Sequence, residues 1–357
     1  VWLMAYTTID DPSAHFQIAL HTSTNAATIT NDGNSDLQPD FLWSKARGAA
    51  HNHALYDSTR GVTKYLSSNA TSAVTTASSG YDLTAFNSDG FTTGNNQFNT
   101  ICGGTTYVAW QWKANAGTTV SVTESGNNPG GTHQANTTSG FSIVTYTGTG
   151  ATGTVTHGLG VAPKFIMIKN RGVTDPWAVY YGDNTDYLVL NTNAATVDNA
   201  AWWNDTSPSS TVFTVSTDHS VNADAETYLA YCFAEVQGFS KIGSYVGNGD
   251  AIGPFIYTGF KPAWILIKQI TDAAGDDWIL YDNKREPVNV AIKKLFPNQA
   301  AAESSSYDSI DMLSNGFKTR TNLGGTNSDG KTYIYMAFAH HPFVTSDDGG
   351  SIPTTAR

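Results

Sequence analysis

The chain has 357 residues, of which 14% are charged, 40% hydrophobic and 12% aromatic, and its formal net charge is -11. Phosphate backbones are bound by clustered Lys and Arg, so this balance argues against nucleic acid and against an acidic membrane surface as partners, and no apolar run approaches the roughly 18 residues that span a bilayer as a helix. Solubility must come from Thr, Ser, Asn and Gly, which suit strand edges and turns rather than helices, and the length suits two or three domains of about 100 to 150 residues.

The start, Val1-Trp2-Leu3-Met4, lacks the basic region and apolar core of a secretory signal. Met4 reads as the initiator, with the three residues before it unexplained. His15-Phe16-Gln17-Ile18-Ala19-Leu20-His21 is a loose opening strand. It leads to the first copy of a phrase that organises the chain, Pro39-Asp40-Phe41-Leu42-Trp43-Ser44-Lys45. A proline at the strand entrance, an apolar run and a closing lysine describe a buried strand with a gatekept end. The phrase returns as Pro163-Lys164-Phe165-Ile166-Met167-Ile168-Lys169 and as Pro262-Ala263-Trp264-Ile265-Leu266-Ile267-Lys268.

Each copy is followed by a second shared strand: His53-Ala54-Leu55-Tyr56-Asp57, Trp177-Ala178-Val179-Tyr180-Tyr181 and Trp278-Ile279-Leu280-Tyr281-Asp282. Weak polar alternation predicts that it is buried on both faces. Asp89-Gly90-Phe91 and Asn315-Gly316-Phe317 predict tight turns that need positive φ, while the middle copy has Thr211-Val212-Phe213. A closing strand then recurs as Thr106-Tyr107-Val108-Ala109-Trp110-Gln111-Trp112, Thr227-Tyr228-Leu229-Ala230-Tyr231-Cys232-Phe233 and Thr332-Tyr333-Ile334-Tyr335-Met336-Ala337-Phe338. The second and third copies also share an opening strand, at residues 140–148 and 238–247.

Recurrence of this kind predicts three degenerate copies of one folding unit. The predicted fold class is all-β, with tandem β-sandwich modules at residues 1–114, 140–236 and 237–343, placed in a row. Residues 115–139, rich in Gly, Thr and Asn, read as a linker, residues 344–357 as a tail, and a short helix is expected around residues 290–296. Cys102 and Cys232 fall in different modules and read as small buried hydrophobes rather than a disulfide framework.

Taken together, Met4-Ala5-Tyr6-Thr7-Thr8-Ile9-Asp10-Asp11-Pro12, Gly140-Phe141-Ser142-Ile143-Val144-Thr145-Tyr146-Thr147-Gly148-Thr149-Gly150, His157-Gly158-Leu159-Gly160-Val161-Ala162-Pro163-Lys164, Trp203-Asn204-Asp205-Thr206 and Gly259-Phe260-Lys261-Pro262 resemble a module of structural proteins from marine, cyanophage-like tailed phages. The resemblance covers nearly the whole chain. It implies a jelly-roll or concanavalin-like sandwich for each module and a tail fibre or other virion surface protein, assembled in the host cytoplasm and extracellular after release. Open sandwiches leave strand edges that need covering, so a homo-oligomer is expected, with three-fold symmetry taken from fibres; other virion proteins and host surface polysaccharide are the expected further partners. The resemblance brings no catalytic residue, metal or cofactor.

For a glycan, the candidate residues are Trp202, Trp203, Tyr180 and Tyr181, because sugar rings stack on aromatic planes while nearby Asn and Asp bind hydroxyls. Adjacent Trp202 and Trp203 cannot both face inward on a strand, so one is expected on display. The Asp- and Asn-rich turns at residues 31–36, 182–186 and 272–277 read as ordinary turns rather than calcium loops, because none has the spaced pattern with a terminal glutamate. His51 with His53, and His340 with His341, lack a third ligand nearby in sequence, and His157 reads as a backbone hydrogen-bonding residue. No nucleophile elbow, phosphate loop or Cys-x-x-Cys is present in the sequence. A glycosidase's carboxylate pair, as in a glycan-degrading spike, is the competing reading, and a capsid decoration protein or extracellular filament subunit is a third.

Overall fold

In the computed structural model, which describes residues 6–272, 276–306 and 308–344, the three proline-led phrases become the strands Phe41–Ala46, Phe165–Asn170 and Phe260–Gln269. Each pairs antiparallel with its module's closing strand on one side and with the strand that follows it on the other. The register is the same in all three: Phe41 lies opposite Trp112, Phe165 opposite Phe233 and Trp264 opposite Phe338. Met4 and residues 345–357 of the expected tail lie outside the described residues.

One strand order recurs in each larger sheet, namely opening, closing, proline-led, following. In the first module these are Phe16–Thr22, Thr106–Trp112, Phe41–Ala46 and Ala54–Asp57. In the second they are Phe141–Thr147, Thr227–Phe233, Phe165–Asn170 and Trp177–Tyr180. The third uses Ser240–Val246, Thr332–Pro342, Phe260–Gln269 and Ile279–Asp282. A smaller sheet accompanies each one, with Ile29 opposite Phe91, Val155 opposite Phe213 and Ile256 opposite Phe317. The chain is therefore all-β and built of antiparallel sandwiches.

Each larger sheet is buried on both faces, which explains why its strands lack polar alternation. Leu42, Tyr56 and Ala109 pack inside the first sandwich with Phe91 and Leu83. Their neighbours Phe41, Trp43, Leu55, Trp110 and Trp112 point the other way, into a core shared by all three modules. The second module divides in the same manner: Ile166, Ile168 and Ala178 line its own interior, while Phe165, Met167 and Trp177 enter the shared core. At the centre, the equivalent residues Trp112, Phe233 and Phe338 close a triangle of edge-to-face rings, with centroids 6.1, 5.6 and 5.9 Å apart. The modules are thus not placed in a row: their larger sheets face one another around a pseudo-threefold axis.

Hydrogen bonds across the module contacts repeat the same symmetry. The first residue of each shared second strand sends a ring nitrogen to a carbonyl of a neighbouring module: His53 Nε2 to Phe296 at 2.9 Å, Trp177 Nε1 to Ser67 at 2.8 Å and Trp278 Nε1 to Val189 at 3.2 Å. The circuit runs from first to third, second to first and third to second, and so closes.

Four expectations are corrected. Residues 115–139 are not a linker; they carry strands Val120–Val122 and Gly131–Asn136, which extend the second module's larger sheet beyond its opening strand. Their largely exposed, polar residues leave no apolar period to read. The closing lysines gate nothing: Lys45, Lys169 and Lys268 are fully buried, and each Nζ donates to the carbonyl of the next residue at 2.7–2.8 Å. No helix forms around residues 290–296, where Ala291, Lys294 and Leu295 make β-bridges; the short helices are Ala200–Trp203, His219–Asn222 and the 3-10 turn Pro12–Ala14. Gly90 has the expected positive φ of 85°, whereas Gly316 opens a strand and is needed for close approach, since a Cβ there would lie 2.1 Å from the Ile256 carbonyl oxygen.

Two measurements test this architecture. Trp112→Ala should destabilise the chain by about 3–5 kcal/mol, the usual cost of emptying a buried tryptophan site, and should move one cooperative denaturant transition rather than that of the first module alone. Burial lowers each of the three lysines to about 8. Between that value and the ordinary 10.5 the unfolded chain binds more protons, so stability should rise with pH from about 8 to 9.5, before tyrosines ionise in the unfolded chain. Lys45→Met should flatten that rise in thermal melts.

Candidate functional site

Two of the three module contacts carry the same buried polar apparatus. Asp57, at the end of its strand, accepts the backbone N–H of Arg60 at 2.8 Å and its Nε at 2.6 Å, and the Tyr231 hydroxyl of the second module donates to the same carboxylate at 2.8 Å. Arg60 also reaches the Leu55 carbonyl at 2.7 Å. The third module repeats this against the first: Asp282 accepts Arg285 N at 2.8 Å, Arg285 Nε at 2.5 Å and Trp110 Nε1 at 3.0 Å, and Arg285 reaches the Leu280 carbonyl at 2.8 Å. A second arginine joins each cluster, Arg171 beside Asp57 and Arg60, and Arg47 through Glu303, which also takes Arg285.

The third contact, between the second and third modules, lacks all of this. Where the other two have aspartate, arginine, a ring donor and a second arginine, the equivalent positions are Tyr181, Asn184, Met336 and Ile270. The equivalence of Arg47, Arg171 and Ile270 is fixed by their backbone N–H groups, which donate to Thr106, Thr227 and Thr332. In place of the ion pair lies a groove of about 560 Å³, walled by Tyr180, Tyr181 and Pro208 on one side and by Ile242, Ile270 and Ile334 on the other. Polar groups at its margin are Lys164, Asp183, Ser207, Ser244 and Thr332. Burial works against ionisation of Asp183, but the Thr185 N–H and hydroxyl, at 3.0 and 2.8 Å, hold its carboxyl below the usual value, so it stands as an ionised acceptor.

The two equivalent grooves are closed by the chain's own segments. Between first and second modules, Gln134 donates to Ser58 and Thr59, and Asp40 accepts the N–H groups of Ala114, Ala116 and Gly117. Between third and first, the loop at residues 31–36 lies over the opening strand through Gln17, with Lys284 bound to Asp32 at 2.6 Å. That leaves a smaller cavity of about 230 Å³.

The expected aromatic residues separate into two roles. Tyr180 and Tyr181 line the open groove, Tyr181 with the more accessible ring, because Tyr180 is 4% exposed and packs into the second module's own interior. Trp202 and Trp203 are not displayed, being 4% and 2% exposed; they sit on the helical turn Ala200–Trp203, so the strand argument that one must point outward does not apply. Trp202 stacks on Tyr187 at 3.5 Å, and Trp203 meets Tyr180 edge-on at 5.8 Å while donating Nε1 to the Asp186 carbonyl. Trp203 therefore braces the wall of the groove from behind.

Among the described residues no group of three His, Cys, Asp or Glu is arranged to hold a metal. His53 is buried between Trp43 Nε1 and the Phe296 carbonyl, and burial keeps it neutral. His157 bonds the Ser209 carbonyl and the Leu159 N–H, as expected. Cys102 and Cys232 are buried free thiols, each pushed up to about 12 by burial. The Asp-x-x-Arg spacing at 57/60 and 282/285 was legible in the sequence, and its loss at 181/184 was the available pointer to this groove. Arg60→Met should cost about 3–5 kcal/mol in chemical denaturation, because it strands a buried carboxylate.

No curated protein and no solved structure matches the chain. One family model matches residues 11–342, across all three modules, and the chain belongs to that family, described as a domain of unknown function, DUF7483.

Proposed function

We propose that the chain is a non-enzymatic structural protein of a tailed-phage virion, a tail-fibre or surface component that self-associates, meets other virion proteins and contacts host surface polysaccharide through the groove between its second and third modules. The observation that carries the glycan part is the selective opening of that groove. Two equivalent contacts are narrowed by buried ion pairs and by extra segments, and the third presents the Tyr181 ring with short hydroxyl and carboxylate groups at the margin. Flat apolar rings beside fixed acceptors suit a sugar, whose faces are apolar and whose edges carry hydroxyls. The virion setting is supported by the resemblance of the repeated phrases to phage structural proteins, and by a chain spent on triplicated scaffold.

Purified particles probed by mass spectrometry and reconstruction should contain the chain at the surface; its absence from them removes the virion assignment. Host envelope polysaccharide should bind the purified protein without release of new reducing ends, and Tyr181→Ala should weaken binding about tenfold, near the 1.4 kcal/mol that one stacked ring contributes. New reducing ends would mark a glycan-degrading spike instead.

A further inference from the structure

The smaller sheets provide an internal comparison. Ile29, Val155 and Ile256 are equivalent, each opposite a buried phenylalanine. The residues flanking them point outward: Thr28 and Thr30 in the first module, Thr154 and Thr156 in the second, Phe255 and Tyr257 in the third. Phe255 and Tyr257 are 46% and 54% exposed. The same face continues across Lys318, which lies opposite Phe255, and Asp311, which lies opposite Lys318 on the next strand. Beyond them, Ala291 bridges Ile310 and its exposed neighbours Val290 and Ile292 flank the face.

We propose that this face of the third module binds the same face of a second copy of the chain, giving a two-fold dimer. Two observations select that occupant. The equivalent outward positions of the sister modules carry threonines, so the surface of matching character on another copy is this one, and like-on-like contact is two-fold. The charges on the face are of both signs, with Arg320 at 3.4 Å from Asp311 and Lys318 beside it, so a self-contact sets Lys318 against Asp311. Fibre-like three-fold assembly is not what this face builds; the three-fold arrangement already exists inside one chain.

Three strands spaced about 4.8 Å apart, with the bridged segment at Ala291, make a face well below the roughly 800 Å² per partner of a standard interface, so the dimer should dissociate in the micromolar range. Sedimentation velocity of the full chain over about 1 to 100 μM should move from 38.1 kDa toward twice that mass. Phe255→Thr with Tyr257→Thr installs the residues that the sister modules carry, so the fold has a precedent for them, and should raise the dissociation constant at least tenfold with an unchanged melting curve. A wild-type mass fixed at 38.1 kDa, a trimer, or association unaffected by the double substitution would overturn the proposal. The inference rests on the proposed function only for its setting: a chain that dimerises yet is missing from particles keeps this face and loses the virion assignment.

Discussion

Three aromatic rings at one point hold the molecule together. Trp112, Phe233 and Phe338 end the regular part of their closing strands at the same register, and each presents an edge to the face of another. Aromatic pairs in this geometry add about 0.5–1.5 kcal/mol beyond the burial of their area. The larger effect is geometric, because a closed triangle fixes the angle between all three larger sheets at once. Around it Phe16 stacks on Phe338 and Phe41 on Trp112, so the packing spreads outward from the axis along equivalent strands.

Polar groups are drawn into this core and satisfied there, which gives the contacts their order. A buried ammonium without partners would be costly. Lys45 therefore donates to carbonyls of Ala46 and Ala300, and Lys268 to those of Gln269, Asn193 and Asp276. Both reach backbone in a neighbouring module, so a wrong arrangement of modules would leave the charge stranded. Buried ion pairs add little net stability compared with apolar packing; what Asp57 with Arg60 and Asp282 with Arg285 add is specificity for one relative orientation. Each acid also takes a donor from the neighbour, Tyr231 or Trp110.

Much of this was legible before any coordinates. The three phrases align residue for residue with the registers found, down to Phe91, Phe213 and Phe317, because a buried strand with fixed neighbours tolerates few substitutions. Arrangement was not legible. Strands walled on both faces read as continuous apolar runs whether the second wall belongs to the same sandwich or to another, so nothing separated a row of modules from a ring. Gly131–Asn136 was hidden for the opposite reason: an edge strand with partly exposed Thr132, His133 and Asn136 has no apolar face to betray it. Of the four candidate residues, Tyr180 and Tyr181 line the groove, while Trp202 and Trp203 were misjudged because a single helical turn, capped by the Asn199 side chain and ended by left-handed Asn204 at φ 52°, buries two adjacent rings that a strand would have set apart.

Internal symmetry also explains why one contact could change without loss of the fold. The triangle of rings and the circuit of ring nitrogens to carbonyls both include the second-to-third contact, where Trp278 still donates to Val189. That contact is therefore held at its centre and at one end, independently of the ion pair that Tyr181 and Asn184 no longer provide. A position relieved of a structural duty by redundancy is free to carry side chains chosen for another purpose. The groove lies at such a position, and the outward face of Phe255 and Tyr257 is another: in both, the sister modules show what the scaffold alone requires, and the departure from it is what the two proposed contacts rest on.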